Sequence, residues 1–232
     1  MRERLIVALD VPNAQAAREL VSRIGDAAGV YKIGLQLFTA EGPGLVRELV
    51  NSGRKVFLDL KLHDIPNTVS HAVKSAVGFG VSMLTVHASG GTDVLRAAVE
   101  AADQRLAILA VTVLTSFDDE DLREIGVPDP LADQVLHLAS LAQSAGCAGV
   151  VTSPRETALV RKSLGQGLVI VNPGIRPAGA GKDDQERTAT PAQAILAGAT
   201  HIVVGRPITQ AEDPARAAGN IVQEMERARS SR

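Results

Sequence analysis

The sequence contains few of the residues on which binding to nucleic acids and membranes depends. Aromatic residues make up only 2% of its 232 residues, Trp is absent, and the formal net charge is −2. A chain with neither a basic surface nor aromatic platforms has little with which to hold a phosphate backbone or stack bases. No apolar run reaches the roughly 20 residues of a membrane span. We therefore expect no nucleic-acid partner and no membrane partner.

The single cysteine, Cys147, cannot form a disulfide within the chain, which is typical of a protein in a reducing compartment. The opening residues MRERLIVALD run straight into a strand pattern and do not resemble a signal peptide. These two features predict a cytoplasmic location. The hydrophobic content of 45% is sufficient for one large core, and we expect residues 1–232 to form a single domain.

Short apolar runs rich in β-branched residues recur along the whole sequence. They are nearly continuous in hydrophobicity rather than alternating, which is typical of parallel strands covered by helices. The eight runs are LIVALD (5–10), VYKIG (30–34), KVFLDLK (55–61), MLTVHA (83–88), LAILAVTVL (106–114), AGVVTS (148–153), LVIVNPG (168–174) and HIVVGR (201–206).

Segments with helical periodicity lie between these runs, so strands and helices alternate. The clearest segments are residues 14–24, 44–52, 92–102 and 131–145. Eight β/α units in a chain of this length predict a closed (β/α)₈ TIM barrel, whose typical size is about 250 residues. An open, doubly wound α/β sheet is the alternative. The longest predicted loop is the polar segment 178–191.

Polar residues cluster where the predicted strands end, which is where a barrel builds its active site. Strand ends can also be polar simply because they meet solvent. That explanation accounts less well for lysines and aspartates of opposite sign converging on one rim. The polar strand-end residues are Asp10, Lys32, Asp59, Lys61, His87, Thr112, Ser153, Asn172 and Arg206.

The stretch DLKLHDIPNT (59–68) carries the densest group of charges. Because side chains alternate along a strand, Asp59 and Lys61 should project to the same side, into the mouth of the barrel. Such a pair could be an inward salt bridge that only fills the mouth. Asp64, together with Lys32 and Asp10 from the first two strands, enlarges the pair to a cluster. Clusters of this kind are more often catalytic than structural.

A metal site is poorly supported by the spacing of the histidines. His63 has no second His or Cys two to four positions away. A Mg²⁺ site formed by Asp59 and Asp10 stays open, although a lysine on the same face would compete for the carboxylates. The remaining histidines within helical or strand patterns are predicted to be packed or on the surface, namely His71, His137 and His201.

The last predicted strand leads into Gly205 and Arg206, which suggests a phosphate site. Barrels commonly bind phosphate with the loops after strands 7 and 8, where glycine permits close backbone approach. Arg206 could grip phosphate oxygens through two parallel hydrogen bonds, although it could also be a surface cap on the last helix. The loop after strand 7 adds Arg176 and Gln185, and its Gly and Ala content would allow it to close over a ligand.

DLKLHDIPNT fits the pattern D-x-K-x-x-D-I-P-x-T, and together with ALD, YKIG, VTVLTS, NPGIRP and VGRPIT it closely resembles the bacterial orotidine 5'-phosphate decarboxylase family. The resemblance extends over essentially the whole chain. It implies a homodimeric (β/α)₈ barrel that converts orotidine 5'-phosphate to uridine 5'-phosphate and CO₂ in pyrimidine biosynthesis. It also implies that the reaction needs no metal and no organic cofactor.

The resemblance further implies a role for each matching residue. Lys61 is similar to the proton donor to C6, and Lys32, Asp59 and Asp64 to the rest of its charged network. The segment from Asp64 to Thr68 is implied to reach the neighbouring subunit's site. The remaining implied substrate contacts are Asp10 at the ribose, Thr115 near the pyrimidine, and Arg176, Gln185, Gly205 and Arg206 at the phosphate.

Two other functions remain open at this point. A sugar-phosphate decarboxylase or aldolase of a related barrel family shares D-x-K-x-x-D but uses Mg²⁺, and the continuation I-P-N-T argues against it. A barrel that binds phosphate without catalysis is the other possibility, which the complete set of charged residues disfavours.

Overall fold

The structure, a computed structural model, describes residues 1–177 and 188–230. Its centre is a closed barrel of parallel strands in sequential order, in which the first strand also pairs with the last. This confirms the predicted barrel, and the open-sheet alternative is wrong. The strands are β1 (Leu5–Ala8), β2 (Val30–Gly34), β3 (Lys55–Leu62), β4 (Met83–His87), β5 (Ala107–Val111), β6 (Gly149–Val151), β7 (Val169–Asn172) and β8 (His201–Val204).

Helices cover the outside of the barrel and alternate with the strands. In the described part of the chain they are α1 (Ala14–Ile24), α2 (Leu35–Asn51), α3 (Pro66–Val77), α4 (Thr92–Ala102), α5 (Asp119–Glu124), α6 (Leu131–Ser144), α7 (Thr157–Leu164), α8 (Pro191–Ala197), α9 (Arg206–Thr209) and α10 (Pro214–Ser230). The predicted helices at 14–24 and 92–102 have the observed bounds. The helix predicted at 131–145 ends one residue earlier, at Ser144.

Helix α2 begins earlier than the periodicity predicts. It starts at Leu35 and is interrupted at Gly42, whose φ of +62° is the left-handed conformation that glycine adopts at little cost. Pro43 follows and begins the second part, which contains the predicted segment 44–52 apart from its last residue. The sequence did not predict the first part of the helix, because glycine and proline usually mark a loop.

Several of the apolar runs continue beyond the strands that they predict. The run 106–114 forms β5 only as far as Val111. After that point Thr112 uses both its backbone N–H and its hydroxyl to donate to the carbonyl oxygen of Val151, at 3.2 and 3.0 Å. The backbone bond of Thr112 is thus the last contact of this kind with β6, and Val113, although apolar and buried, lies outside the strand.

Alternation along the strands produces two apolar cores. One lies inside the barrel and consists of Ile6, Ala8, Val30, Phe57, Met83, Leu109, Val171 and Val203. The other lies between the strands and the surrounding helices. A residue two positions after a member of the inner core lies on the same face of its strand, closer to the carboxyl end. The sequence thereby directs Lys32 and Asp59 into the mouth of the barrel.

One close approach in the barrel explains a glycine. A Cβ atom on Gly149 of β6 would lie 2.2 Å from the backbone oxygen of Val169 in β7, so no larger residue fits there. Within residues 1–177 and 188–230, no helix combines the length and the apolar character needed to cross a bilayer. Most of the predicted loop 178–191 lies outside the described residues, and its last residue, Pro191, begins α8.

Candidate active site

Four charged side chains form a row of alternating sign across the mouth of the barrel. The Nζ atom of Lys32 in β2 lies 3.0 Å from Oδ1 of Asp10 and 3.6 Å from Oδ2 of Asp59. Oδ1 of Asp59 in turn accepts a hydrogen bond from Nζ of Lys61 at 2.9 Å. Asp59 therefore lies between two ammonium groups, and Lys32 lies between two carboxylates.

The centre of this row is shielded from water. The side chains of Lys32 and Asp59 are 11% and 13% exposed, whereas that of Asp10 is 62% exposed. Burial by itself raises the pKa of Asp59, but the charges of Lys32 and Lys61 and hydrogen bonds from Lys61 and Thr85 outweigh it. The net result is a pKa below the usual value, so Asp59 is ionised at neutral pH.

A glycine makes room for the central lysine. A Cβ atom on Gly34 would lie 2.9 Å from Nζ of Lys32 and 3.5 Å from Oδ1 of Asp10. The backbone of Gly34 is extended, so the requirement here concerns space rather than backbone conformation. A side chain at this position would displace the Lys32 ammonium from its two carboxylates.

The backbone at Lys61 departs from regular strand geometry. Its φ is +49°, which is uncommon for a residue other than glycine. The register of β3 against β4 shifts between Leu58 and Leu62, so the simple alternation assumed for the sequence does not hold through this stretch. The Lys61 backbone N–H donates to the hydroxyl of Thr85 at 2.8 Å instead of to a ladder carbonyl. The Lys61 side chain nevertheless meets Asp59.

The row of charges lies on the wall of a cavity of about 430 Å³, a volume that suits a small-molecule ligand. The inner core residues Ala8, Phe57 and Val203 contribute apolar surface to it. The sequence-predicted residues that line it are Asp10, Lys32, Asp59, Lys61, Thr115, Arg176, Gly205 and Arg206. Four cations and two carboxylates among these described residues leave a net charge of +2, which favours an anionic ligand.

The two arginines follow β7 and β8 along the chain. Arg206 is the first residue of α9, directly after Gly205. Arg176 is 9% exposed, and its Nη1 donates to the carbonyl oxygen of Ile175 at 3.1 Å. The backbone N–H of Arg176 also donates to the oxygen of Ala189 at 2.9 Å. This contact joins the two chain segments on either side of residues 178–187.

Two other predicted site residues do not line this cavity, and a third lies outside the described residues. Asp64 and Thr68 are exposed beyond the end of β3, where Oδ1 of Asp64 accepts the backbone N–H of Ile65 at 2.7 Å. Gln185 lies outside the described residues. The assignments of these three residues to the site stay predictions.

Three polar strand-end residues face away from the cavity. Asn172 follows the inward-facing Val171, so alternation turns its side chain toward the helices. There its Nδ2 donates to the oxygen of Thr152 at 2.8 Å, and its Oδ1 accepts from the hydroxyl of Thr157 at 2.9 Å. Ser153 is fully buried, and its backbone oxygen lies 3.1 Å from the same hydroxyl, whose single proton it shares with Asn172. Thr112, described above, likewise makes a backbone contact, and all three residues are structural.

The histidines form no metal site in the described part of the chain. The rings of His63 and His87 lie 5.3 Å apart, and burial followed by the proximity of His63 and Lys61 lowers the pKa of His87. His71 and His137 are exposed, and His201 is partly buried at the opposite end of the barrel. No group of three or more His, Cys, Asp or Glu side chains among the described residues could hold a metal ion.

Four polar residues in or near the site were missed at the sequence level. Thr152, Thr209 and Gln210 line the cavity, and the buried Thr85 contacts both Asp59 and Lys61. Thr85 could have been found by alternation, because it lies two residues after the inward-facing Met83 and two before His87. Thr152, at the end of the run AGVVTS, was not distinguished from its neighbours by any comparable signal.

The fold and the cavity together define a (β/α)₈-barrel enzyme with a charged site at the carboxyl ends of its strands. The model of the orotidine 5'-phosphate decarboxylase / HUMPS family matches residues 3–221, and the chain belongs to that family. This confirms the resemblance deduced from the sequence motifs.

Curated relatives and a solved structure agree with this family. The chain is 54% identical over 225 residues to the orotidine 5'-phosphate decarboxylase of Methylorubrum extorquens (strain PA1), covering 97% of this chain and 96% of the relative. It is 52% identical over 216 residues to that of Anaeromyxobacter sp. (strain K), covering 93% and 95%. The crystal structure of orotidine 5'-phosphate decarboxylase from Lactobacillus acidophilus is similar with a TM-score of 0.86 and 39% identity, covering 95% of this chain and 98% of that one.

Proposed function

We propose that this protein decarboxylates orotidine 5'-phosphate to uridine 5'-phosphate and CO₂ in pyrimidine biosynthesis, in the cytoplasm. The observation that carries the proposal is the row Asp10–Lys32–Asp59–Lys61 inside a cavity with an excess of positive charge. Membership of the family and relatives of that name support the same activity. The substrate brings a phosphate and a carboxylate, and both complement that excess charge.

Lys61 is proposed to protonate the pyrimidine. When the bond between C6 and the carboxylate breaks, CO₂ departs and the electron pair stays on C6. That carbanion is poorly delocalised, so an ammonium held nearby stabilises it and then transfers a proton to C6. The hydrogen bond to Asp59 keeps Nζ of Lys61 in a fixed position before the reaction. Lys32 balances the charge of Asp59 and holds Asp10, the proposed ribose contact.

Arg206 and Arg176 are proposed to bind the phosphate, with Gly205 and Gln185. The two arginines line the same cavity as Lys61, so one ligand can contact both ends. Binding energy gained at a phosphate remote from the reacting bond can orient the pyrimidine against Lys61 and Asp59. Thr115 is the proposed contact to the pyrimidine itself.

We propose that the reaction uses no metal and no organic cofactor. Lys32 lies between Asp10 and Asp59, the two carboxylates that would have to bind Mg²⁺. A cation placed there would have to compete with this ammonium. A magnesium-dependent sugar-phosphate decarboxylase or aldolase is therefore the less favoured function.

The protein is further proposed to be a homodimer with shared active sites. Within one chain Asp64 and Thr68 are exposed and do not line the cavity. The intervening Ile65 is 65% exposed, which is unusual for a large apolar side chain and suits a surface covered by a second subunit. In a two-fold dimer, donation of these residues would be reciprocal.

Loss of the orotate absorbance during turnover tests the proposed reaction. We expect purified protein to consume orotidine 5'-phosphate and to form uridine 5'-phosphate at the same rate with and without EDTA. Loss of activity in EDTA that returns on addition of Mg²⁺ would favour the metal-dependent alternative. Binding of the nucleotide without any turnover would instead identify a barrel that only binds phosphate compounds.

A further inference from the structure

The irregular step in β3 has a specific partner in β4. Leu58 pairs with Leu84, and the next paired residues are Leu62 and Val86. Four steps along β3 therefore correspond to two steps along β4, and Thr85 alone lies opposite the stretch 59–61. Bulges of this kind leave backbone groups outside the ladder and redirect side chains. Here Asp59 keeps the inward direction that alternation from Phe57 gives it, and Lys61 is the residue whose backbone departs from strand geometry.

The Thr85 hydroxyl uses its hydrogen-bonding capacity in two directions. Its Oγ1 accepts the backbone N–H of Lys61 at 2.8 Å and donates to Oδ1 of Asp59 at 3.0 Å. Thr85 is fully buried, so water does not replace either contact. A hydroxyl has only one proton to donate, and the Lys61 amide can only donate, so the Thr85 proton is directed to the Asp59 carboxylate.

These contacts close a ring. It runs from the Lys61 backbone N–H to Thr85, from Thr85 to Asp59, and from Asp59 back to Nζ of Lys61 at 2.9 Å. The ring holds both the backbone of Lys61, whose φ is +49°, and the ammonium at the end of its side chain. A left-handed conformation at a residue other than glycine is strained and persists only where neighbouring contacts hold it.

We propose that Thr85 is a positioning residue for decarboxylation, which fixes the backbone of Lys61 and the carboxylate of Asp59 so that Nζ is held ready for proton transfer. This inference rests on the proposed function, because it assumes that Lys61 and Asp59 act on the substrate. Thr85 itself does not line the cavity, and it acts through these two residues.

Replacement of Thr85 by valine, which has nearly the same shape, removes only the hydroxyl. We expect Thr85→Val to lower kcat by about 100-fold, the scale of losing one preorganised hydrogen bond in an active site. The KM for orotidine 5'-phosphate and the Kd for uridine 5'-phosphate should change by less than about threefold, because the ground-state nucleotide is held by other residues. Thr85→Ser, which restores the hydroxyl, should recover kcat to within about fivefold of wild type.

Thr200 provides a matched control at the opposite end of the barrel. Its hydroxyl also accepts a backbone N–H and donates to an oxygen, in this case both from Ile170, at 2.9 and 2.8 Å. Thr200 is only partly buried, so Thr200→Val should lower the melting temperature no more than Thr85→Val does, and it should leave kcat within about twofold of wild type. Equal fractional losses of kcat in these two variants would reduce Thr85 to a structural hydroxyl and overturn the proposal.

Further outcomes separate this inference from the proposed function. If Thr85→Val has the wild-type kcat while the separate variant Lys61→Ala is inactive, the role of Thr85 is overturned and the proposed reaction stays intact. An active Lys61→Ala would overturn the proposed role of Lys61, whereas wild-type protein that does not turn over orotidine 5'-phosphate would overturn the proposed reaction itself. If Thr85→Val does not fold, Thr85→Ala takes its place, and its kcat must lie at least about tenfold below that of Thr85→Ser. A smaller difference counts against the proposal.

Discussion

Lys61 combines a strained backbone with the side chain on which the proposed chemistry depends. Its left-handed φ, its backbone bond to Thr85 and its ion pair with Asp59 all restrict where Nζ can lie. Strain that is held by surrounding contacts is typical of active sites. A lysine in this position is therefore preorganised, and substrate binding does not have to order it.

Removal of the Lys61 ammonium should affect the chemical step far more than binding. Lys61→Ala is expected to lower kcat by several powers of ten, on the order of 10⁴ or more, because it removes both charge stabilisation and the proton donor. The Kd for uridine 5'-phosphate, measured by calorimetry, should change by less than about tenfold. A variant that retained a tenth of wild-type kcat would exclude Lys61 from the mechanism.

Arg206 should contribute through the phosphate group. Arg206→Ala is expected to lower kcat/KM for orotidine 5'-phosphate on the order of 100-fold. This corresponds to a loss of about 3 kcal/mol of transition-state binding, the scale of a charge-assisted pair of hydrogen bonds. The same variant should have a much smaller effect with orotidine, which lacks the phosphate. Arg216, exposed on α10 outside the cavity, is the control position. Equal losses with both substrates would contradict a phosphate contact.

Among the elements, α7 and α8 share one buried cation. The Arg161 guanidinium, in the last turn of α7, donates to the oxygens of Gly165 and Leu168 at 2.9 Å. It also donates twice to the oxygen of Gly198, which follows the end of α8, at 3.1 and 2.8 Å. Arg161 is 6% exposed, so its loss would leave buried carbonyl oxygens without these donors.

Replacement of this arginine should destabilise the protein without changing the site. Arg161→Met keeps most of the apolar stem and should lower the free energy of unfolding by about 3 kcal/mol. Urea denaturation followed by circular dichroism measures the change. Lys162→Met, at the exposed neighbouring position of α7, should change it by less than about 0.5 kcal/mol. A loss no larger than that of the control would mean that water replaces the guanidinium contacts.

The elements also explain how far the sequence predicts the fold and the site. Apolar runs located every strand, because the strands of a parallel barrel are covered on both faces. The runs predicted the ends of the strands less well, because residues such as Val113 are apolar and buried although they lie outside the ladder. The bulge at Lys61 and its contact with Thr85 could not be predicted, because they depend on the register between two strands rather than on residue types. For Asn172, alternation from Val171 would have indicated an outward side chain.

For the whole molecule, acid sensitivity should depend in part on His201 at the base of the barrel. Burial, with Arg4 and Lys55 nearby and Glu3 opposing them, lowers the pKa of this histidine to about 4. An unfolded chain would protonate it near pH 6.5. Its contribution to stability is therefore complete above about pH 6.5 and is lost as the pH falls toward 4, because the unfolded state then binds the extra proton.

His201→Gln should remove this part of the pH dependence. Between pH 7.5 and pH 4.5 the wild-type free energy of unfolding should fall by about 2–3 kcal/mol more than that of the variant. Urea unfolding at the two pH values measures the difference. His137→Gln, at an exposed position on α6, should retain the wild-type pH dependence. Identical pH dependence of the free energy of unfolding in His201→Gln and wild type would show that His201 does not cause this part of the acid sensitivity.

A shared active site can be tested by mixing two inactive variants. Lys61→Ala and Asp64→Asn are unfolded and refolded together, so that about half of the dimers contain one chain of each kind. In a mixed dimer, the Asp64→Asn chain keeps its Lys61 and receives a native Asp64 from its partner, while the other site has both defects. Activity should return to about a quarter of wild type. If Asp64 acts within its own chain, the mixture will stay as inactive as the separate variants.

The alternating row Asp10–Lys32–Asp59–Lys61 also constrains how this barrel can evolve. Neutralising Lys32 or Asp59 alone leaves its neighbour as a buried charge with less compensation, which is costlier than losing both members of the pair. Paired substitutions at these positions should therefore be strongly non-additive. A lineage that changed Lys32 or Asp59 singly would have to pass through less stable intermediates, so these two residues are expected to be exchanged together or not at all.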